Sequence, residues 1–307
     1  MRIGIPNNAF SRNKILVDEL RKVYPNIRLN KLNTRLSGEK LIEFLKDSEI
    51  AIIGMEEIDE SILKELPNLK FISKFGVGVN NINFPDLKKY NIEIGITNGV
   101  NKRAVSELTL GFILSLTRNI YFTSNELKSG LWNKNGGEGL GSLTLGIIGF
   151  GNIGKDLLEL IEPFKPKVLI NDIKKISPPK TNLDIKIVSK NELYGNSDIV
   201  TIHTPLTEKT KNLINLEVFK KMKESSFLVN TSRGGIVNEN DLNKAIKNNL
   251  ISGAALDVYD VEPPEISSLV LDKRVITTPH IAGNSKEAVL CMGRAAIKKI
   301  IDFKSSL

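Results

Sequence analysis

Short apolar runs alternate with helical patterns along almost the whole chain, and this alternation restricts the fold more than any other feature. Runs such as Ile50–Met55 and Lys70–Lys74 have the length of strands, and amphipathic stretches such as Ser37–Ser48 lie between them. Regular succession of strand and helix is typical of parallel sheets covered by helices on both faces. The sequence therefore predicts an α/β protein with doubly wound parallel sheets, and its 307 residues suffice for two such domains.

The individual elements follow from the same pattern. Predicted strands are Ile3–Pro6, Ile50–Met55, Lys70–Lys74, Ile92–Thr97, Leu143–Gly149, Val168–Asn171, Ile185–Val188, Ile199–His203, Phe227–Asn230, Gly253–Asp257 and Val275–Thr278. A long helix is predicted from Lys102 to Ser129, ending before Gly130, and a last helix covers Ser285–Phe303.

The composition is that of a globular protein, with 41% hydrophobic and 25% charged residues. No apolar run approaches the roughly 20 residues of a membrane span, and the N-terminus lacks the apolar stretch of a secretory signal. The single cysteine, Cys291, cannot form an intrachain disulfide, and its place in a helix predicts a buried, inert thiol. We expect a cytoplasmic protein without membrane contact.

A net charge of +8 raises the question of nucleic-acid binding. The lysines, however, come as scattered pairs such as Lys88-Lys89 and Lys298-Lys299, with acidic residues between the pairs and no interleaved aromatic residues. This distribution favours attraction of small anionic substrates over a nucleic-acid surface.

The segment Gly149-Phe150-Gly151-Asn152-Ile153-Gly154 follows an apolar strand and opens a helical stretch. In that context the first glycine makes a tight turn, the second lets the backbone approach a pyrophosphate, and the third allows close helix–strand packing. The helix N-terminus then offers free N–H groups to the phosphates. The segment predicts a dinucleotide site, although a structural glycine turn in a flavodoxin-like domain is the alternative.

An acid at the end of the next strand would select the dinucleotide. Asp172 directly follows the run Val168–Asn171. A carboxylate at this position accepts hydrogen bonds from the adenosine ribose and repels a 2′-phosphate. This favours NAD over NADP, while the neighbouring Lys174 and Lys175 are cations that would tolerate the phosphate.

Three further segments each follow an apolar run, so each is predicted at the carboxyl edge of a parallel sheet, where ligands bind. They carry Arg233, Glu262 and His280. Arginine can grip a carboxylate or keto oxygen, histidine can donate a proton to a carbonyl that receives a hydride, and glutamate can stabilise the imidazolium. Taken singly, Arg233 is more typical of a surface ion pair and Glu262 of a solvated loop, but together the three predict reduction of a 2-keto acid.

The chain has one other histidine, His203, in Ile202-His203-Thr204-Pro205. It also follows a predicted strand and would line the cofactor pocket. Of the two histidines, only His280 has an acid, Glu262, after the predicted strand that precedes its own. His280 is therefore the predicted proton donor.

These segments resemble the D-isomer-specific 2-hydroxyacid dehydrogenases over essentially the whole chain. The likeness lies in Gly149–Gly154, His203–Pro205, Asn230–Gly235, Asp257–Pro263 and Thr278–Gly283. It implies that Arg233 orients the substrate, that Glu262 is the partner acid and that His280 donates the proton, without a metal. The positions implied to contact NAD are Gly149, Gly151, Asn152, Ile153, Gly154, Asp172, His203, Thr204, Pro205, Thr231, Ser232, Asp257 and Gly283.

The family's substrate loop resembles the segment from Lys74 to Asn81, whose glycine-rich backbone N–H groups can nest a carboxylate. Substrate contacts are expected from Lys74, Gly76, Val77 and Gly78, together with Arg233 and His280. The family more often has aspartate where this chain has Asn80 and Asn83. A plain strand-to-helix turn is the alternative for this segment.

The resemblance also implies a flavodoxin-like substrate domain, residues 1–98 plus 284–307, with a Rossmann NAD-binding domain, residues 99–283, inserted in it. Two crossings between the domains predict hinge closure around the substrate. A homodimer is implied, built partly on the long helix and the loop with Trp132, for which a core position is the alternative.

Within the family, formate dehydrogenases are disfavoured, because they have glutamine where this chain has Glu262. The substrate loop and the segment Ile281–Ser285 resemble phosphoglycerate dehydrogenases most, and 307 residues leave no room for their C-terminal regulatory domain. Glycerate and hydroxypyruvate are the other candidate substrates. An NAD(H)-sensing binding protein similar to a corepressor, with little turnover, is the alternative function.

Overall fold

The computed structural model describes residues 2–32 and 34–306, and the chain divides into two compact units. The first unit joins Met1–Asn101 to Ser285–Leu307, and the second is Lys102–Asn284. The domain boundaries predicted from the sequence lie at 98/99 and 283/284. A domain is defined by its ability to fold alone, which compactness does not test, so these boundaries stay a prediction.

The helices and strands follow one another in the alternation that the sequence predicts. The strands are β1 (Ile3–Ile5), β2 (Ile27–Leu29), β3 (Ile50–Ile53), β4 (Phe71–Lys74), β5 (Glu93–Gly95), β6 (Thr144–Ile148), β7 (Lys167–Asn171), β8 (Ile185–Ile187), β9 (Ile199–Ile202), β10 (Phe227–Asn230), β11 (Gly253–Leu256) and β12 (Val275–Thr277). The helices are α1 (Asn8–Ser11), α2 (Lys14–Val23), α3 (Gly38–Leu45), α4 (Glu60–Leu63), α5 (Phe84–Lys89), α6 (Lys102–Thr117), α7 (Ile120–Lys128), α8 (Asn152–Ile161), α9 (Lys190–Asn196), α10 (Leu216–Phe219), α11 (Glu239–Lys247) and α12 (Lys286–Ser305). Two short 3₁₀ turns lie at Leu140–Ser142 and Glu162–Phe164.

The first unit contains a parallel sheet with the strand order β2-β1-β3-β4-β5. This is the flavodoxin-like order, in which the chain reverses direction across the sheet after its second strand. Strands β1, β3 and β4 are buried along their whole length, because helices cover both faces. Leu41, Ile62 and Leu87 lie in the core on one face, and Leu16 and Ile300 lie in the core on the other.

Helix α12 brings the end of the chain onto this N-terminal sheet. The buried hydroxyl of Ser73 on β4 donates a hydrogen bond to the backbone oxygen of Ala296, at 2.8 Å. The rings of Phe71 and Phe303 stack with their centroids 4.3 Å apart. These contacts between β4 and α12 make the first unit discontinuous in sequence.

The second unit contains a parallel sheet with the order β12-β11-β10-β9-β6-β7-β8. Counted from its own first strand, β6, it has the Rossmann order extended by one strand. Leu157 and Ile113 are buried on the face covered by α6 and α8, and Leu193 and Ile246 on the opposite face. The predicted fold class, two doubly wound parallel-sheet domains, is therefore confirmed.

The predicted single helix from Lys102 to Ser129 is wrong. The chain forms two helices, α6 and α7, with a break at Arg118 and Asn119. Asn119 has the left-handed backbone conformation, with φ of 51°, which ends the hydrogen-bond ladder of α6. Strand β2 was not predicted, because its three residues are only half-buried at the sheet edge and follow Pro25.

One predicted side-chain environment is also wrong. Cys291 lies on an exposed position of α12 and is therefore no buried thiol. This error arises because a helical pattern fixes which positions share a face and leaves open which face is covered. Trp132 is 79% exposed, which excludes the core position that was the alternative for it.

Among the described residues, no helix combines the length and the apolar character needed to cross a bilayer.

The contact between β4 and α12 leads to a stability prediction. Replacing Ser73 by alanine removes one buried hydrogen bond between them, so we expect the free energy of unfolding to fall by about 0.5–1.5 kcal/mol. Urea denaturation measures the loss. Ser37→Ala is the control, because Ser37 is an exposed helix cap whose side chain makes no capping hydrogen bond. Equal stabilities of the two variants would contradict the proposed docking of α12.

Candidate active site

The glycine-rich turn between β6 and α8 has the geometry that a dinucleotide requires. Gly149 has φ of +92°, and a Cβ on it would lie 2.6 Å from the backbone oxygen of His203. A Cβ on Gly154 would lie 2.5 Å from the backbone oxygen of Gly149, so helix and strand are in direct contact. Gly151 faces open space at the start of α8, where free N–H groups can meet phosphate oxygens. The turn therefore fits a pyrophosphate.

Asp172 lies directly beside this turn, at the end of β7. One carboxylate oxygen accepts a hydrogen bond from the Phe150 backbone nitrogen at 2.7 Å, and the other accepts from that of Lys174 at 2.8 Å. The neighbouring Ile173 is 94% exposed, so an apolar surface is available for an adenine ring next to the acid. Lys174 and Lys175 are exposed.

His203 and Thr204 follow β9 against the back of the glycine turn. His203 shares a hydrogen bond of 3.0 Å between its Nε2 and the Thr201 hydroxyl. Its Nδ1 and the Thr204 hydroxyl are buried and have no partner among the described residues. Burial lowers the pKa of His203 to about 3, so this imidazole is neutral at physiological pH. Two polar atoms without protein partners beside the pyrophosphate turn fit a cofactor that supplies the missing hydrogen bonds.

Thr231 and Ser232 follow β10, and their side chains already have protein partners. The Ser232 hydroxyl donates to the backbone oxygen of Thr204, which joins the ends of β9 and β10. The Thr231 hydroxyl shares a buried hydrogen bond of 2.8 Å with Thr109 of α6. These contacts hold the edge of the sheet where Arg233 begins its turn.

Asp257 follows β11 and is fully buried. Its Oδ1 accepts hydrogen bonds from the Thr278 hydroxyl at 2.5 Å and the Ile281 backbone nitrogen at 2.8 Å. Its Oδ2 accepts from the Ala282 backbone nitrogen at 2.8 Å. Both oxygens are therefore engaged in holding the segment after β12, a positional role that the sequence did not reveal.

His280 lies at the centre of that segment with φ of +52°, an uncommon conformation for a residue with a side chain. Its backbone nitrogen donates to the backbone oxygen of Asp257 at 2.9 Å. Its Nδ1 lies 2.7 Å from Glu262 Oε2, so the predicted pairing of the histidine with this acid is present. Both side chains are about one-third exposed, at 35% and 30%, which leaves the imidazole accessible.

Two opposed influences act on the Glu262 carboxyl. Partial burial alone would raise its pKa, but the hydrogen bond and charge of His280, the backbone nitrogen of Tyr259 at 3.2 Å and the charge of Arg233 lower it. The net pKa is below the ordinary value, so the acid is ionised beside the imidazole at neutral pH.

Arg233 belongs to the same electrostatic group. Burial lowers the pKa of its guanidinium, and the Glu262 charge opposes that shift. One of its nitrogens, Nη1, donates to the backbone oxygen of Ser232 at 2.6 Å. The second unit thus brings together all three predicted catalytic side chains, and Pro205 and Gly283 lie in the adjoining segments.

The predicted substrate loop lies in the first unit, after β4. Gly76 has φ of +109°, followed by Val77 and Gly78 in an irregular segment. Lys74 is only 4% exposed, and its ammonium donates to the backbone oxygen of Gly54 and, at 3.2 Å, to Asn81 Oδ1. Lys74 therefore fastens the two ends of the loop together, in addition to any contact with substrate.

Glu56 and Asn81 support the same loop, and the sequence did not point to Glu56. Asn81 Nδ2 donates to the backbone oxygens of Glu56 at 2.5 Å and Gly54 at 3.2 Å. Glu56 is buried and accepts from the Gly54 backbone nitrogen at 2.6 Å. Burial raises the pKa of Glu56, and the Gly54 hydrogen bond and the charge of Lys74 oppose this. The described residues contain no group of side chains suited to hold a metal ion.

Comparison with known proteins agrees with this geometry. Residues 110–282 match the family model described as D-isomer specific 2-hydroxyacid dehydrogenase, NAD binding domain. Hydroxypyruvate reductase of Thermotoga maritima is 33% identical over 294 residues, which cover 92% of this chain and 95% of that protein. D-3-phosphoglycerate dehydrogenase of Bacillus subtilis is 35% identical over 254 residues, which cover 82% of this chain but only 48% of that protein.

The fold also matches the solved structure of a dehydrogenase in complex with its ligands. D-lactate dehydrogenase of Aquifex aeolicus, bound to NAD and lactic acid, has a TM-score of 0.85 and 25% identity, covering all of this chain and 96% of that one. The chain belongs to the D-isomer-specific 2-hydroxyacid dehydrogenases, and its second unit is the family's NAD-binding domain.

Proposed function

We propose that the chain reduces a small 2-keto acid to the D-2-hydroxy acid with NADH, and catalyses the reverse oxidation with NAD. The observation that carries this proposal is the 2.7 Å pair of His280 Nδ1 and Glu262 Oε2, with the Arg233 guanidinium close enough to influence the same carboxylate. A proton donor, its partner acid and an anion-binding group are what a 2-keto acid requires in addition to a hydride source.

We propose that the transferred proton is carried by one particular atom of His280. With Nδ1 bonded to Glu262, the proton available for transfer is the one on His280 Nε2. When bound, NADH supplies the hydride that reaches the carbonyl carbon. His280 Nε2 gives its proton to the developing alkoxide, and the Glu262 carboxylate stabilises the imidazolium until that transfer. In the oxidation direction the neutral imidazole takes the proton back.

Arg233 orients the substrate in this proposal. Its planar guanidinium suits a bidentate contact with a carboxylate or a contact with the keto oxygen. We propose that the backbone N–H groups of Gly76, Val77 and Gly78 are further contacts for the substrate carboxylate. Lys74 and Asn81 support that role, because they fix the loop that presents these N–H groups.

The cofactor preference rests on Asp172, which we propose binds the adenosine ribose and excludes the 2′-phosphate of NADP. The carboxylate is fixed beside the pyrophosphate turn by its bond to Phe150. Other predicted contacts are supplied by the segments of Asn152-Ile153, His203–Pro205, Thr231-Ser232 and Gly283. For Asp257 we propose an indirect role, since its buried carboxylate already accepts three hydrogen bonds.

Among substrates we favour hydroxypyruvate or glyoxylate over the phosphorylated 3-phosphoglycerate pair. The hydroxypyruvate reductase of Thermotoga maritima matches 92% of this chain, and the phosphoglycerate dehydrogenase of Bacillus subtilis matches 82%.

A substrate panel tests this function. Wild-type protein should oxidise NADH with hydroxypyruvate or glyoxylate, more slowly with phosphohydroxypyruvate, and poorly with NADPH in place of NADH. Arg233→Ala should lose at least about 100-fold in kcat/KM for the keto acid, the effect of removing a group that orients the reacting atoms, with little change in the Kd for NADH.

Absence of turnover with every 2-keto acid, despite tight NADH binding, would contradict the enzyme proposal. It would favour the alternative of an NAD(H)-sensing binding protein, which is then tested by NADH-dependent capture of a peptide or protein partner.

The pairing of Glu262 with His280 predicts a shift in the pH profile. His280 and Glu262 are joined by a 2.7 Å hydrogen bond, and the charge of His280 lowers the pKa of Glu262. Glu262→Gln removes this pairing of charges, so the limb on which keto acid reduction declines with rising pH should move to lower pH. His203 does not contribute to this limb, because its pKa is about 3. The profile of kcat/KM against pH measures the shift, with Glu265→Gln, an exposed acid nearby, as the control. An unmoved limb would show that another group is the donor.

We further propose a homodimer that covers α7 and the loop after it. Ile120, Leu127, Leu131 and Trp132 are all more than half exposed there, an apolar patch unusual for a free surface. Light scattering should give twice the 34.0 kDa chain mass for wild type. Leu131→Asp should shift the protein toward the monomer, whereas Ile266→Asp, at an even more exposed apolar position elsewhere, should not. Monomeric wild-type protein would contradict the dimer.

A further inference from the structure

The turn that carries Arg233 and the turn that carries Glu262 are in direct backbone contact. A Cβ on Gly234 would lie 1.8 Å from the backbone oxygen of Tyr259 and 2.7 Å from the backbone nitrogen of Asp260. No side chain therefore fits between the two turns. Their separation depends on how closely the two backbones are held together.

Asp260 holds them at this point. Its Oδ1 accepts a hydrogen bond from the Gly235 backbone nitrogen at 2.5 Å. Gly235 has φ of +76° and ends the turn that begins at Arg233. This hydrogen bond therefore joins the Arg233 turn directly to the loop that contains Glu262.

Asp260 is itself held from the other side. Its backbone nitrogen donates to Glu239 Oε1 at 2.6 Å. Glu239 is the first residue of α11, the helix that directly follows the Arg233 turn. Asp260 is thus hydrogen-bonded to Gly235 on one side and to Glu239 on the other. Both partners belong to the segment that follows Arg233, and Asp260 belongs to the loop that contains Glu262. We call these two hydrogen bonds of Asp260 the clamp.

We propose that Asp260, supported by Glu239, is a positioning residue that fixes the guanidinium of Arg233 relative to the Glu262–His280 pair. This inference rests on the proposed function, in which those three side chains act together on one substrate. Tyr259 extends the arrangement, because its backbone nitrogen bonds Glu262 and its hydroxyl donates to the backbone oxygen of Thr278 at 3.0 Å, in the segment of His280.

Three acids, Glu239, Asp260 and Glu262, lie close together around the clamp. Burial raises the pKa of Glu239, and the charges of Asp260 and Glu262 raise it further. Mutual repulsion of the carboxylates would separate the loops unless N–H donors held the acids in place. The clamp therefore depends on an acceptor atom at Oδ1 of residue 260, with the negative charge as a secondary factor.

Three substitutions at position 260 separate these contributions. Asp260→Asn keeps an acceptor oxygen at the same place without the charge, Asp260→Glu keeps the charge but displaces the oxygen, and Asp260→Ala removes both. If the clamp positions Arg233, kcat/KM for the keto acid should fall about 10–100-fold in Asp260→Ala, because the reactive groups would be displaced by up to about 1 Å. In Asp260→Asn it should stay within about 3-fold of wild type. Asp260→Glu should lie between them.

The kinetic signature distinguishes positioning from loss of folded protein. We expect the KM for the keto acid to rise and kcat to fall in Asp260→Ala, while the Kd for NADH and the thermal midpoint change little. Glu265→Ala, which removes an exposed acid of the same loop, is the matched control and should equal wild type. A charge effect is indicated instead if Asp260→Glu is active and Asp260→Asn is not, and that outcome would overturn the clamp.

A measurement independent of turnover keeps this inference separate from the proposed function. Hydrogen exchange of the Gly235 amide should accelerate in Asp260→Ala and remain slow in Asp260→Asn, whether or not the enzyme reduces any keto acid. Unchanged exchange in Asp260→Ala would refute the clamp even in an active enzyme. Inactive wild-type protein with the expected exchange pattern would instead refute the proposed function.

Discussion

The candidate active site depends on one buried carboxylate, that of Asp257. A charge removed from water is strongly destabilising unless hydrogen bonds replace its hydration, and here a hydroxyl and two backbone N–H groups do so. All three donors come from the segment after β12 that contains His280. The requirement to satisfy the carboxylate therefore dictates the path of this segment, and with it the position of the imidazole.

Sheet topology explains why side chains so distant in sequence can cooperate. Strands β10, β11 and β12 are neighbours and run parallel, so the segments that follow them emerge side by side at one edge. Arg233, Glu262 and His280 each lie in one of those segments. The glycine turn after β6 opens at the same edge, because β6 pairs with β9 and β9 with β10. A single architectural rule thus places both the glycine turn and the Glu262–His280 pair at one edge of the sheet.

Much of this arrangement could be predicted from the sequence, because period, length and order of apolar runs determine the strands and the sheet class. The glycine spacing and the strand-end Arg233, Glu262 and His280 were likewise recognisable. The break at Asn119 was not, since one residue in the left-handed conformation leaves the apolar pattern on both sides intact.

Contacts made by side chains with distant backbone atoms were beyond sequence reasoning. The sequence predicts a substrate contact for Lys74 but does not reveal that its ammonium is held by Gly54 and Asn81. Asp260 does not stand out in the sequence, since nothing local reveals that its carboxylate meets Gly235. Such partners are fixed by the packing of loops, which no local pattern encodes.

The left-handed backbone of His280 has a consequence for how this protein can change during evolution. Glycine and asparagine adopt that conformation at least as readily as histidine, whereas β-branched residues do not. Under the proposed function, these two replacements would abolish proton transfer while leaving the glycine turn after β6 in place. The proposal thus implies that the loss of chemistry and the retention of dinucleotide binding are separated by one codon.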